Sequence, residues 1–225
     1  MASAVARWTA QGKTVTYLLA TRGEAGIDGM HPGQAAEIRE QEERAGAREV
    51  GVDIVEFLDY PDGVVEEGVQ LRCDIARVIR RRRPDVIICG SYAIRMMMGT
   101  VNQADHRAVG LATLDAARDA GNRWIFPQLT EPEGLEPWNG VRFVAYCGDA
   151  QSSHSVDITG EPLERGIASL AAHAEYLDGL GAAKPDPRLF LTWMAQHSGA
   201  QSAAEHAVLF DVHFLRPEGP PPWQR

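Results

Sequence analysis

Positive charge, cysteine and long apolar runs are all scarce in this chain, and each shortage removes a class of protein. Lysine and arginine together number 22 against 31 aspartates and glutamates, a formal net charge of −9. A protein that tracks a phosphate backbone needs clustered cations to displace counterions, so nucleic acid is not an expected partner. The one basic run, Arg80 to Arg83, stands just before Pro84 and fits the carbonyl end of a helix dipole. Cys73, Cys89 and Cys147 are odd in number, widely spaced and free of any CxxC pair, which excludes a disulfide framework and points to a reducing cytoplasm. No apolar stretch approaches the roughly 20 residues of a membrane helix, so no membrane span is expected. Residues 1–11 carry neither the charged start nor the long apolar segment of a secretory signal. No GxGxxG follows a strand, and Gly23-Glu24-Ala25-Gly26 has the wrong spacing for dinucleotide binding.

What is present is an alternation of helix and strand. Residues 2–11 have Val5, Trp8 and several alanines at helical spacing, with Gly12 as a stop. Residues 13–20 then read as a strand. Helices are predicted over 34–50, 69–82, 106–120 and 162–180, with a further one at 187–196. Strands are predicted over 53–58, 85–89, 141–146 and, as a short edge, 156–158. Residues 207–215 are a short apolar stretch, and the Pro-rich tail over 216–225 is expected to be disordered. The pattern predicts a Rossmann-like three-layer α/β/α fold with a mostly parallel sheet, one domain over 1–215. A crossover helix that opens the chain lacks the strand that should precede it, so the first strand is expected to be missing.

In such a sheet, ligands sit beyond the carboxyl ends of the strands. Three of these loops carry polar groups. Thr21-Arg22-Gly23-Glu24-Ala25-Gly26 is a candidate binding loop or an ordinary glycine turn. Asp62 lies in a Pro-Asp-Gly turn that Pro61 and Gly63 already explain. In Asn102-Gln103-Ala104-Asp105-His106, Asp105 is placed at an N-cap and His106 in the first helical turn. There Asp105 either orients the imidazole or merely caps the helix beside a surface histidine.

These segments together resemble the PIG-L/LmbE-type zinc-dependent N-deacetylases, which include GlcNAc-phosphatidylinositol and GlcNAc-inositol deacetylases. The likeness is carried by Ala4 to Gly12, Thr21-Arg22-Gly23-Glu24-Ala25-Gly26, Ile38-Arg39-Glu40-Gln41-Glu42 and Glu56-Phe57-Leu58-Asp59-Tyr60-Pro61-Asp62-Gly63. It continues through Arg83-Pro84-Asp85, Ala104-Asp105-His106-Arg107-Ala108-Val109-Gly110 and His154-Ser155-Val156-Asp157. The resemblance implies zinc-activated water attacking an N-acetyl group on a sugar or sugar-linked small molecule. It implies His106 as a metal ligand, Asp105 as a catalytic orienting group, and Glu24, Arg39, Asp62 and Gln103 as substrate contacts. Arg39 has a second reading, as the partner of Glu42 or Glu43 on a helix face. His154 is a minor candidate from the edge strand.

The family's His-Pro-Asp-Asp segment, source of two zinc ligands and the general base, does not occur in this sequence. His31-Pro32 precedes Gly33 and does not replace it. The family's other histidine, three positions before His106, is Gln103. One histidine does not hold zinc, since a catalytic site needs about three protein ligands and an open position. A contiguous loss of about 15–20 residues, a strand plus a loop and a helix start, predicts truncation at a late start rather than scattered decay. Two functions stay in play: an impaired zinc-dependent deacetylase, and a non-catalytic binding domain of the same fold. Association into a homo-oligomer is left open.

Overall fold

The computed structural model describes residues 1–148 and 151–216; apart from Arg216, the expected disordered tail lies outside the described residues. The elements run α1 (Ala2–Ala10), β1 (Thr16–Leu19), α2 (Pro32–Glu49), β2 (Ile54–Phe57), α3 (Val69–Arg82), β3 (Val86–Gly90), α4 (Ala104–Asp119) and α5 (Pro127–Thr130). They continue with β4 (Phe143–Cys147), β5 (His154–Asp157), α6 (Glu161–Ala171), α7 (Ala174–Gly179), a 3-10 turn at Gly181–Ala183, α8 (Pro187–Gly199) and β6 (Ala207–Phe214). The chain divides into two compact units, Met1–Val65 with Ser155–Leu209 and Glu66–His154 with Phe210–Arg225. The fold is mixed α/β. Among the described residues no helix is long and apolar enough to cross a membrane.

In the first unit, one local device is used twice to turn a helix into a strand. Gly12 (φ +81) and Gly51 (φ +77) take the left-handed conformation that glycine tolerates best. Gly12 N–H donates to Thr9 O and Lys13 N–H to Trp8 O; Gly51 N–H donates to Arg48 O and Val52 N–H to Ala47 O. Each pair is a Schellman closure, which satisfies carbonyls orphaned at a helix end. The hydroxyl of Thr9 donates to Val50 O at 2.7 Å, tying the two helix ends together. The strands that follow, β1 and β2, pair in parallel from Thr16↔Ile54 to Leu19↔Phe57. Val5, Ala6, Ala47, Val50, Val52 and Val55 form the core beneath them. Val50 and Val52 are 0% and 1% exposed, and burying each such side chain contributes roughly 1.5–3 kcal/mol. Among the described residues β1 has β2 as its one ladder neighbour.

The four-stranded sheet has the order β3-β4-β6-β5. β3 and β4 run parallel from Val86↔Phe143 to Gly90↔Cys147. β6 corrects the sequence reading: residues 207–215, read as a mere apolar stretch, form an eight-residue strand antiparallel to β4. The edge strand β5 also begins two residues earlier than the expected 156. In the second unit α4 packs tightly on the turn after β3. A Cβ added to Gly110 would lie 2.9 Å from Tyr92 Cβ and 3.1 Å from Gly90 O, so only glycine allows this approach. Tyr146, fully buried, donates its hydroxyl to Gly110 O at 2.8 Å.

One further expectation is corrected. The helix predicted over 162–180 is interrupted at Ala172 and His173. The carboxylate of Glu42 accepts from Glu175 N–H at 2.6 Å and from Tyr176 N–H at 3.4 Å. An anion from α2 thus caps a new helix, α7, where one continuous helix would have used those donors internally. The basic run stands where it was expected, with Arg80, Arg81 and Arg82 in the last turn of α3, and Arg80 has a further role. Arg80 is 3% exposed and donates to Ala120, Asn122 and Ile125 carbonyls at 2.8–3.1 Å and to Thr130 Oγ1 at 3.2 Å. From the last turn of α3 it also braces the carbonyl end of the neighbouring α4.

Candidate functional site

In the first unit, the loops after β1 and β2 are locked by two carboxylates. Thr21 Oγ1 donates to Asp62 Oδ1 at 2.9 Å, and Ala25 N–H to Asp62 Oδ2 at 3.0 Å. Reciprocally, Asp62 N–H donates to Glu24 Oε1 at 2.9 Å and Arg22 N–H to Glu24 Oε2 at 3.2 Å. The structure therefore brings Glu24 and Asp62 together, with every carboxylate oxygen already engaged by the protein. Charged acceptors on backbone donors are among the stronger hydrogen bonds available. Glu24 also borders a shallow cleft of about 180 Å³, shared with Arg22, Asp59 and Tyr60.

Arg39 lies beneath the first of these loops. Gly23 (φ +69) leaves room for it: a Cβ there would sit 3.2 Å from Arg39 Nε. The guanidinium stacks on Tyr176 with its carbon 4.0 Å from the ring centroid, and one Nη stands 3.6 Å from Glu42. The helix-face reading of Arg39 is thus present in the structure. The same Nη lies 3.2 Å from His173 Nδ1. Because a guanidinium only donates, that nitrogen accepts and the ring proton sits on Nε2. Burial, then the Arg39 charge, push His173 down to about 4, while burial raises the neighbouring Glu43 carboxyl.

In the second unit, the entrance to α4 gathers Asn102, Gln103, Asp105 and His106. Asp105 is not the N-cap expected of it. The helix starts at Ala104, with Gln103 in the capping position and making no side-chain cap bond. Asp105 is its second residue, buried, with its charge in the first turn, where the helix dipole favours an anion. The entering turn is held by Asn102, which is 2% exposed. Its Nδ2 donates to Ser91 O at 2.6 Å and Ala93 O at 3.1 Å, and its carbonyl accepts from Arg107. His106 is exposed, and its Nδ1 lies 3.2 Å from Asn102 Oδ1. Gln103 is exposed beside it.

Sequence reasoning passed over Asn102, which lies ahead of the cap of α4 where no helical spacing ties it to His106. It also passed over a carboxylate–imidazole pair on β6, Asp211 Oδ2 to His213 Nε2 at 2.7 Å. The rings of Tyr146 and Tyr92 lie against this imidazole, 5.4 and 5.9 Å away between centroids. The Asp-x-His alternation inside an apolar run was the available signal. His154 is exposed at the start of β5, 2.9 Å from Ser153 Oγ.

The residues present do not fit a zinc centre. Among the described residues no three His, Cys, Asp or Glu side chains come together in a way that holds a metal ion. Next to His106 stand two amides, which are poor ligands for zinc beside imidazole, thiolate or carboxylate.

The family model for PIG-L, GlcNAc-PI de-N-acetylase, matches residues 1–117. A diacetylchitobiose deacetylase from Thermococcus kodakarensis is 27% identical over 160 residues, 69% of this chain and 57% of that protein. The match thus spans little more than half the length of this curated relative. The N,N'-diacetylchitobiose deacetylase of Pyrococcus horikoshii, solved with an inhibitor, superposes with a TM-score of 0.83 at 21% identity, covering 95% of this chain and 78% of that one. A 4-carboxy-2-hydroxymuconate hydratase from Pseudomonas putida superposes with a TM-score of 0.75 at 18% identity, covering 97% and 92%. At such identities the likeness is one of fold, and it reaches an enzyme of different chemistry.

Proposed function

The chain belongs to the PIG-L, GlcNAc-PI de-N-acetylase family, and from that premise we propose that it binds an N-acetylated sugar or sugar-linked small molecule at the entrance of α4 without hydrolysing it efficiently. The observation that carries this reading is the solitary imidazole. His106 stands with Gln103 where the family resemblance implies a second histidine, and no metal-holding group forms among the described residues. Amide hydrolysis of the family kind needs a metal-activated water, and one imidazole leaves that metal unheld. No hydrolytic step is therefore routed through zinc here. What the entrance offers is a lone pair on His106 and the donor and acceptor of the Gln103 amide, which suit the hydroxyl and acetamido groups of a sugar. Asp105 supports this entrance as a buried first-turn anion. The substrate class rests on the family, because the same fold also carries a hydratase.

The test pairs metal content with acetate release. The purified chain, incubated with zinc and desalted, is analysed by mass spectrometry for bound metal and assayed on N-acetylglucosamine and N,N'-diacetylchitobiose. Sub-stoichiometric zinc is expected, together with acetate release no faster than that of His106→Ala. Sugar binding, read by calorimetry, is expected to weaken in Gln103→Ala. One tightly held zinc per chain, with acetate release abolished in His106→Ala, would overturn the proposal.

A further inference from the structure

The buried amide of Asn102 has a single workable orientation. Its Nδ2 faces two backbone carbonyls, Ser91 O at 2.6 Å and Ala93 O at 3.1 Å. Turning the amide over would set Oδ1 against both carbonyl oxygens, three acceptors with no hydrogen between them, at a residue 2% exposed and so denied rescue by water. Oδ1 must therefore be the atom 3.2 Å from His106 Nδ1. An amide oxygen only accepts, so the ring nitrogen facing it must carry the hydrogen.

From this geometry we infer that Asn102 is a positioning residue that fixes neutral His106 as the Nδ1–H tautomer, leaving Nε2 as the nitrogen with the free electron pair. The inference goes beyond the proposed function, since it holds whatever the chain binds. The anchor is stiff because Asn102 is tied on every side. Its backbone N–H donates to Ile94 O at 2.8 Å and its carbonyl accepts from Arg107. The turn after β3, the first turn of α4 and the imidazole are thereby joined at one residue. The sequence-based expectation gave the orienting role to Asp105; the geometry assigns it to the amide of Asn102, just ahead of α4. The ring of an exposed histidine ordinarily samples both tautomers, and which one dominates is set by the partner of the other nitrogen. Here the partner is a neutral acceptor, which selects the tautomer without adding charge. The result is an exposed ring whose Nε2 accepts a hydrogen bond or a proton.

Long-range proton–nitrogen correlation NMR on the full chain at a pH where the ring is neutral reads the tautomer directly, with the His106 signals assigned by their loss in His106→Ala. The wild type is expected to show a pyrrole-like Nδ1 and a pyridine-like Nε2; the reverse pattern overturns the inference by itself. Asp105→Asn is expected to leave the pattern unchanged, and a reversal there would move the anchor to Asp105 and overturn the assignment. Asn102→Ala is expected to reverse the major tautomer. Persistence of Nδ1–H in a folded Asn102→Ala protein would also overturn the inference. Should that variant fail to fold, the wild-type and Asp105→Asn spectra decide the matter.

Discussion

Asp62 separates two roles for the same side chain. As a substrate contact it matters for binding and little for folding; as a clasp it matters for folding. Its carboxylate takes hydrogen bonds from Thr21 Oγ1 and Ala25 N–H, and removing one partner of such bonds costs about 1–3 kcal/mol. Asp62→Ala is accordingly expected to lower the unfolding free energy read from urea titration by about that much and to speed proteolysis within residues 21–26. Asp62→Asn, which retains one acceptor oxygen, should recover part of the loss. An unchanged urea midpoint with lost sugar binding would return Asp62 to the substrate. At this scale the sequence marked Glu24 and Asp62 as polar residues of two post-strand loops, and the structure brings the two carboxylates together. The sequence did not reveal their roles, because whether a carboxylate faces a ligand or a backbone donor depends on loops some 40 positions apart.

Among the elements, legibility followed the range of the forces that end them. The stop at Gly12 was visible because a Schellman closure is made by residues within one turn of the helix end. The break between α6 and α7 was not, because its cap, Glu42, is 133 residues away from Glu175. The strand β6 was missed for a related reason: its identity comes from pairing with β4, not from any local turn signal. The close approach of α6 to α1 is equally non-local. A Cβ on Gly166 would lie 1.9 Å from Ser3 Oγ and 2.9 Å from Ser3 Cβ. Alanine in mid-helix is ordinarily favoured over glycine by about 1 kcal/mol, yet overpacking here opposes it by about 1–3 kcal/mol. Gly166→Ala is therefore expected to lower Tm, and Ser3→Gly introduced with it should restore part of the loss. A Gly166→Ala protein more stable than the wild type would show that the two helices separate freely.

For the molecule as a whole, acid tolerance is decided less by the surplus of carboxylates than by buried groups whose proton affinities differ between the folded and unfolded chains. His173 faces Arg39 and Glu43 from α2, and burial together with Arg39 pushes it down to about 4 from an ordinary 6.5. Between those limits the unfolded chain binds a proton there that the folded chain refuses, so stability must fall as pH drops from about 6.5 to about 4. Glu43 acts in the opposite sense. Its carboxyl is raised by burial above 4.5, so on acidification the folded chain takes up that proton before the unfolded one does, which offsets part of the decline. Two substitutions separate the contributions. His173→Gln keeps an acceptor for Arg39 and removes the titration, so its Tm should vary less between pH 6.5 and pH 4 than that of the wild type. Glu43→Gln removes the compensating group, so its Tm should fall more steeply over the same range. Parallel Tm curves for all three proteins would mean that His173 takes up its proton near 6.5 in the folded chain, as in the unfolded one. Arg39 would then face a cation, and its contact with Nδ1 could not persist, because both nitrogens of a protonated ring donate.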